Sequence, residues 1–431
     1  MRIKPAILGV TTRTIEGLCG FLVIFLFLLT PKFNSAIVIH SGFCAVLFLI
    51  LALVLNDKSK LNFSKNITLP MAFFLLTGAY FFAISTIYVN EFVDFIKICI
   101  SVNVSLMFGW MVGRYMVISG VAHRKVIDAI LRWVMFVAIA NSLIVLCEAI
   151  SPEIKSYIES RLVQNTVGLI YSEHPFQLRG LASAGGAGLS LFNAVAMLII
   201  LHFFIKKELS AKPSLLASLI ILIATIYIGR TGLIVGLTMF VLLNATVLLI
   251  ALRKGVLSSI SDIVLILGTA FSFLYYSNNW LEDDVKGWAF EWIDSFLMGS
   301  SLSGSSDDLK NMLFLPSSGS HLIFGIGFFE GENALYDRSD SGYVKTIFSL
   351  GLPLSIAVYL VFIWLITRVK WVNKKYNLFT YILVAVMLIA EIKEPFMYQN
   401  YTARLILLLA GSSLYIIHSR STASLTQTRM E

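Results

Sequence analysis

The chain has 431 residues, 58% of them hydrophobic and only 13% charged, with a mean hydropathy of +0.84 and a formal net charge of +8. A soluble domain carries about 25% charged residues, so the composition excludes an ordinary water-soluble fold and a disordered chain. The basic pI of 9.2 does not mark a nucleic-acid partner, because no aromatic-and-basic recognition module accompanies it.

Runs of roughly 20 apolar residues recur from end to end, the length that crosses a hydrocarbon core of about 30 Å. Backbone polar groups in lipid must be satisfied within the segment, so these runs predict helices. The expected fold class is all-α: a polytopic integral membrane protein with about 12 transmembrane helices and one membrane domain over 1–431. The spans are placed at 15–30, 36–55, 67–88, 94–118, 126–150, 180–205, 214–229, 231–252, 260–277, 342–366, 376–391 and 396–417. Arg2, Lys4 and Arg13 precede the first span and no small-residue cleavage site clearly follows it, so that span is expected to persist as a helix. Cys19, Cys44, Cys99 and Cys147 each fall inside an apolar span without CxxC spacing, which predicts packing residues rather than a disulfide framework or zinc site.

Twelve spans place both termini on one side. That side, with the adjoining helix ends, collects 21 of the 33 basic residues, among them Lys58, Lys60, Arg124, Lys125, Lys206, Lys207, Arg253, Lys370, Lys374 and Arg420. By the positive-inside rule it is cytoplasmic. The smaller loop 151–179 and the large loop 278–341, between spans 9 and 10, then lie outside. The large loop has 11 acids against 3 bases. Within it Val285, Trp288, Ala289, Trp292, Ile293, Phe296 and Leu297 recur at helical spacing, predicting an amphipathic helix at the outer interface. A second short helix is expected near 309–313. FGIGFFEG, with Gly325, Gly327 and Gly331, has no strand or Walker lysine beside it and reads as a tight turn.

Several cations converge on the outer face. Arg230, in GRTG, sits at the mouth of a tight helical hairpin, where arginine near membrane depth is costly and usually functional. Arg404 is expected about eight residues into the last span, roughly 12 Å from its end. Arg179 opens LRGLASAGGAGLSLFNA, whose small residues allow close helix approach or a broken helix end. Lys345 and Lys393 share that face, as do the carboxylates Glu148, Glu173, Asp337, Asp340, Glu391 and Glu394 and the imidazoles His174 and His321. Arginine grips phosphate bidentately and lysine acts as a point charge, so the set suggests a site for a pyrophosphate or another anionic head group. Asp340, at the loop-to-helix junction, is the first candidate for a general base, or alternatively the N-cap of that helix. No HExxH or carboxylate cluster indicates a metal.

Five segments in order resemble the bacterial polysaccharide polymerases of the Wzy type, in the O-antigen polymerase and ligase superfamily. They are RGLASAGGAGLSLFNA at 179–194, GRTGLIVGL at 229–237, LIFGIG at 322–327, DSGYVKTIFSLGLP at 340–353 and EIKEPF at 391–396. The resemblance covers the second half of the chain; the first half matches only as generic membrane helices. It implies an inner-membrane glycosyltransferase of O-antigen or related surface polysaccharide biosynthesis, working at the periplasmic face without a cofactor. It would transfer a glycan from its undecaprenyl pyrophosphate carrier to another carrier-linked repeat unit. Membrane lipid and a chain-length regulator protein are the further partners it implies, and nucleic acid is not one.

Carried onto this chain, Arg179 and Arg230 match the family's essential arginines and join Asp340 as catalytic residues. Arg404, Lys345, Lys393, Tyr343, His321 and Arg338 form the substrate-binding set. Related ligases place a histidine where this chain has Asp340, which favours polymerase over ligase; His321 is the available substitute. An O-antigen ligase and a lipid-linked sugar flippase or transporter are the alternatives.

Overall fold

A computed structural model describes residues 19–34, 39–56, 64–90, 92–163, 177–254, 260–297, 312–329, 339–399 and 401–428. In chain order its helices are α1 (Cys19–Leu29), α2 (Ser41–Asn56), α3 (Lys65–Tyr88), α4 (Val93–Ile118), α5 (His123–Ile150), α6 (Pro152–Arg161), α7 (Ala187–Ile205), α8 (Ala211–Ile228) and α9 (Arg230–Lys254). They continue with α10 (Ile260–Asn279), α11 (Asp283–Leu297), α12 (Gly319–Phe324), α13 (Gly342–Leu350), α14 (Leu352–Val372), α15 (Asn377–Ala390), α16 (Phe396–Gln399) and α17 (Tyr401–Thr428). A two-residue hairpin, β1 (Lys32–Phe33) with β2 (Ile39–His40), pairs antiparallel. Among the described residues nine helices are long and apolar enough to cross a membrane. The architecture is that of an all-α, multi-pass membrane protein.

The chain divides into two compact units. The first comprises Met1–Leu55 with Asp128–Val285, and the second Asn56–Ile127 with Lys286–Glu431.

In the first unit α7 is the central helix, buried from Gly188 to Phe204. Its apolar sequence has no polar stripe because it has no solvated face. Polar contacts inside lipid are made between helices: Asn193 Nδ2 on α7 donates to Thr225 Oγ1 on α8 (3.2 Å) and to Ser142 Oγ on α5 (3.4 Å). α7 and α9 touch backbone to backbone. Gly232 donates its N–H to Ser190 Oγ at 3.1 Å, and a Cβ on Gly229 would stand 2.7 Å from that same oxygen.

In the second unit α4 and α17 make the matching contact. Gly109 and Gly113, spaced as GxxxG, meet Leu408 and Ser412, and Ser412 Oγ donates to the Gly109 carbonyl at 2.7 Å. Small residues at this spacing let helix backbones approach. α13 is a separate half-helix whose Val344 and Phe348 pack with Ile326 and Phe328.

One expected span is interrupted. The segment 342–366 is α13 followed by α14, because Gly351 takes φ +77° and Pro353 then opens the next helix. The last span, placed at 396–417, is helical over Phe396–Gln399 and from Tyr401 onward. The small-residue run at 180–186 is a non-helical entry to α7, the broken-end reading of that sequence. The amphipathic helix is present as α11, with Val285 and Ala289 buried. The expected second helix near 309–313 lies, from 309 to 311, outside the described residues, as does Gly331.

At Gly351 a Cβ would collide with the Ile323 carbonyl, in a conformation that L side chains rarely adopt. Gly351→Ala is expected to destabilise the second unit by about 1–3 kcal/mol. A thermal melt of the purified full chain checks this; an unchanged midpoint would mean the break does not need glycine.

Candidate functional site

At one end of the first unit several connections are laced together. Asn34 N donates to the Arg161 carbonyl and Val163 N to that of Lys32, each at 2.8 Å. Leu178 N donates to the Tyr227 carbonyl at 3.0 Å, and Ser183 N to that of Leu29 at 2.9 Å. The turn at 180–181 is gripped from α5. The Glu148 carboxylate accepts from Gly180 N and Asn141 Oδ1 accepts from Leu181 N, both at 2.9 Å. Asn141 and Glu148 are seven residues apart and so share a face of α5. Gly180 has φ +59°, and a Cβ there would stand 2.6 Å from Asn141 Oδ1.

Arg179 sits on this turn. Its Nη1 donates to the Val163 carbonyl at 3.0 Å, with the Ser183 carbonyl at 3.5 Å. The guanidinium lies within electrostatic reach of Glu148. Arg230 is the first residue of α9, immediately after the extended Gly229 that ends α8. It therefore stands at the mouth of a hairpin without a loop, as GRTG predicts. Leu178 and Tyr227 are hydrogen-bonded neighbours, which brings Arg179 and Arg230 to the same end of this unit.

The second unit holds the other candidates around the start of α13. Ser341 is the N-cap position of that helix, so the capping alternative for Asp340 does not hold. Asp340 instead projects, its side chain 67% exposed, and pairs with Lys345 at 3.8 Å. Beneath it Gly342 N donates to the Glu391 carbonyl at 2.9 Å. The Glu391 carboxylate is fully buried. Oε2 accepts from Met397 N at 3.0 Å, and Oε1 lies 3.1 Å from the Tyr359 hydroxyl. Tyr359 is also 3.1 Å from Thr346 Oγ1 and 3.2 Å from the Gly342 carbonyl. Glu391 thus acts as the staple that holds α13 against the 391–397 turn.

Glu394, on the same turn, is half-buried and makes the site electrostatically distinctive. Burial pushes its carboxyl up to about 7; Lys393 and Lys345 oppose the shift and Asp340 adds to it. Asp340, Lys345, Lys393 and Glu394 are therefore one interacting cluster of two acids and two bases.

The chain matches no protein-family model, no curated protein and no solved structure. The chemistry of the side chains is what remains to read.

The candidate residues are divided between the units. Arg179 and Arg230 belong to the first; Asp340, Lys345, Lys393, Tyr343, His321 and Arg404 belong to the second. Tyr343 donates to the Leu388 carbonyl at 2.7 Å and tilts against the Tyr359 ring at 5.1 Å, which makes it part of the α13 anchorage. The His321 ring lies edge-on to Tyr88 at 5.4 Å. Arg404 lies on α17, where the Tyr401 ring centroid is 5.9 Å from its guanidinium carbon. Arg338, Asp337, Glu173 and His174 lie outside the described residues.

Sequence reasoning overlooked Asn141 and Tyr359. Asn141 carries a usable signal, being an asparagine inside a long apolar run. Tyr359 does not, since tyrosine is common in membrane helices.

Proposed function

We propose that the chain is a Wzy-type polysaccharide polymerase of the bacterial inner membrane. It would join undecaprenyl-pyrophosphate-linked repeat units at the periplasmic face, with both termini cytoplasmic. The cluster of Asp340, Lys345, Lys393 and Glu394 carries this reading. Glycosyl transfer needs a base near neutral pKa beside cations that can take a developing phosphate charge, and the cluster supplies both. In the transfer a carboxylate takes the proton of the acceptor hydroxyl. The acceptor oxygen bonds to the anomeric carbon, and the bond from that carbon to the pyrophosphate oxygen breaks with its electron pair. Lys345 and Lys393 hold negative charge beside the base; Arg179 and Arg230 are the further phosphate-binding residues that the resemblance implies. The resemblance of segments 179–194, 229–237 and 340–353 to the polymerases points the same way.

A surface-polysaccharide gel on a deletion strain tests the assignment. Complementation with wild type is expected to restore a ladder of repeats, and Arg230→Ala to leave single repeats, a loss of about 100-fold or more in transfer. A ladder of normal length with Arg230→Ala would remove Arg230 from the site. Carrier-linked polymer that stays unattached in the deletion strain would make the protein a ligase, and repeat units held on the cytoplasmic side would make it a flippase.

A further inference from the structure

In the second unit, at the end away from Asp340, a groove of about 600 Å³ opens between the start of α5, the end of α14, α15 and α17. Its lining carries Arg124, Lys370, Lys374 and Arg420, and no carboxylate among its described residues. Four cations around one concavity repel each other unless an anion sits among them. Arg420 and Arg124 are within electrostatic reach of one another. Arg420 uses Nη1 to donate to the Val372 carbonyl at 3.1 Å, while its Nη2 is buried and has no hydrogen-bond partner among the described residues. A guanidinium anchored by one nitrogen holds its charge at the groove wall, where it favours a phosphate. Lys370 is steered by Tyr381, its Nζ lying 3.2 Å from the hydroxyl.

The rim decides what kind of phosphate fits. Trp371 and Tyr381, which line the groove, are 65% and 54% exposed, and the other exposed residues of α14 are apolar. Trp and Tyr at helix ends sit at the level of lipid headgroups, and basic pockets between membrane helices suit anionic lipid. A free phosphate would need no such apolar rim. We propose that this groove binds the phosphate of an anionic phospholipid, whose acyl chains lie along the Trp371 and Tyr381 side.

Thermal melts of the detergent-purified full chain test this, with phosphatidylglycerol, phosphatidylcholine or inorganic phosphate added at equal phosphate concentration. Phosphatidylglycerol is expected to raise the midpoint more than the other two. In Arg124→Gln/Lys374→Gln the apparent affinity is expected to fall on the order of tenfold per lost charge. The midpoint and monodispersity of that variant without lipid establish that it folds. Stabilisation by inorganic phosphate equal to that by phosphatidylglycerol would overturn the lipid assignment. Equal binding of phosphatidylglycerol by the folded variant would overturn the groove as the site.

Discussion

Replacing Gly232 with valine is expected to force α7 and α9 apart and to remove most folded protein from the membrane. The Cβ position on Gly232 falls on the Ser190 carbonyl group and close to the Leu191 nitrogen. These are backbone atoms of a buried helix and cannot rotate away as the end of a side chain can. The same substitution also disturbs the hydrogen bond from Gly232 N to Ser190 Oγ. Ordinary overpacking costs about 1–3 kcal/mol. Here the obstacle is main chain, so the loss should exceed about 4 kcal/mol, a large share of a domain's stability. Gly236 supplies the control one turn further along α9. Its nearest neighbours are Leu222 Cδ1 and Met197 Sδ, both at 3.5 Å, which is room for a methyl group. Gly236→Ala is therefore expected to extract and melt like wild type. Size-exclusion profile and thermal midpoint in detergent compare the two, and a monodisperse Gly232→Val with a wild-type midpoint would contradict the α7–α9 contact.

The helices were legible because membrane spans announce themselves by length and apolarity. α3, α4, α5 and α7 to α10 fall where hydropathy puts them, to within a few residues apart from the late start of α7. What hydropathy cannot see is a break inside an apolar run. Leu350, Gly351 and Leu352 read as continuous membrane helix, yet Gly351 turns the chain at φ +77°. The glycine–leucine–proline order is the trace this break leaves in the sequence. GxxxG at 109–113 was visible in principle, but nothing in one sequence says which helix it meets.

The site was legible in its charges and less so in its scaffold. Asp340 stands out at a loop-to-helix junction and Lys345 and Lys393 by sharing the outer face, and in the structure all three act electrostatically on Glu394. Glu391 and Glu394 look equivalent in EIKEPF. Packing separates them: Glu391 is consumed by Tyr359 and the Met397 amide, while Glu394 keeps a place among the lysines. Arg179 also changes character in three dimensions. Two backbone carbonyls lie within reach of its guanidinium, so it organises the loop end of its unit whatever else it binds.

The difference between Glu391 and Glu394 sets the largest functional effect. If Glu394 takes the acceptor proton, Glu394→Gln should lower transfer by about 10²- to 10⁴-fold, the usual contribution of a general base. Wild-type transfer should rise with pH through about 7 and level off above it, because the base works deprotonated. The apparent value belongs to Glu394 coupled with Asp340 rather than to one residue. Stability should move the opposite way. The folded-state carboxyl is raised from 4.5 to about 7. The stability tied to its neutral form is therefore full below about 4.5 and lost as pH climbs through about 7. Glutamine keeps the neutral shape at every pH. Above pH 7 the variant should melt higher than wild type, by on the order of 1–2 kcal/mol after solvent screening and the loss of a partner for Lys345 and Lys393. A merely structural glutamate would give neither the lost pH limb nor a more stable, less active variant. Transfer assays and melts between pH 5 and 9 on wild type, Glu394→Gln and Asp340→Asn separate the cases. An unchanged pH limb in Glu394→Gln, absent from Asp340→Asn, would assign the proton to Asp340.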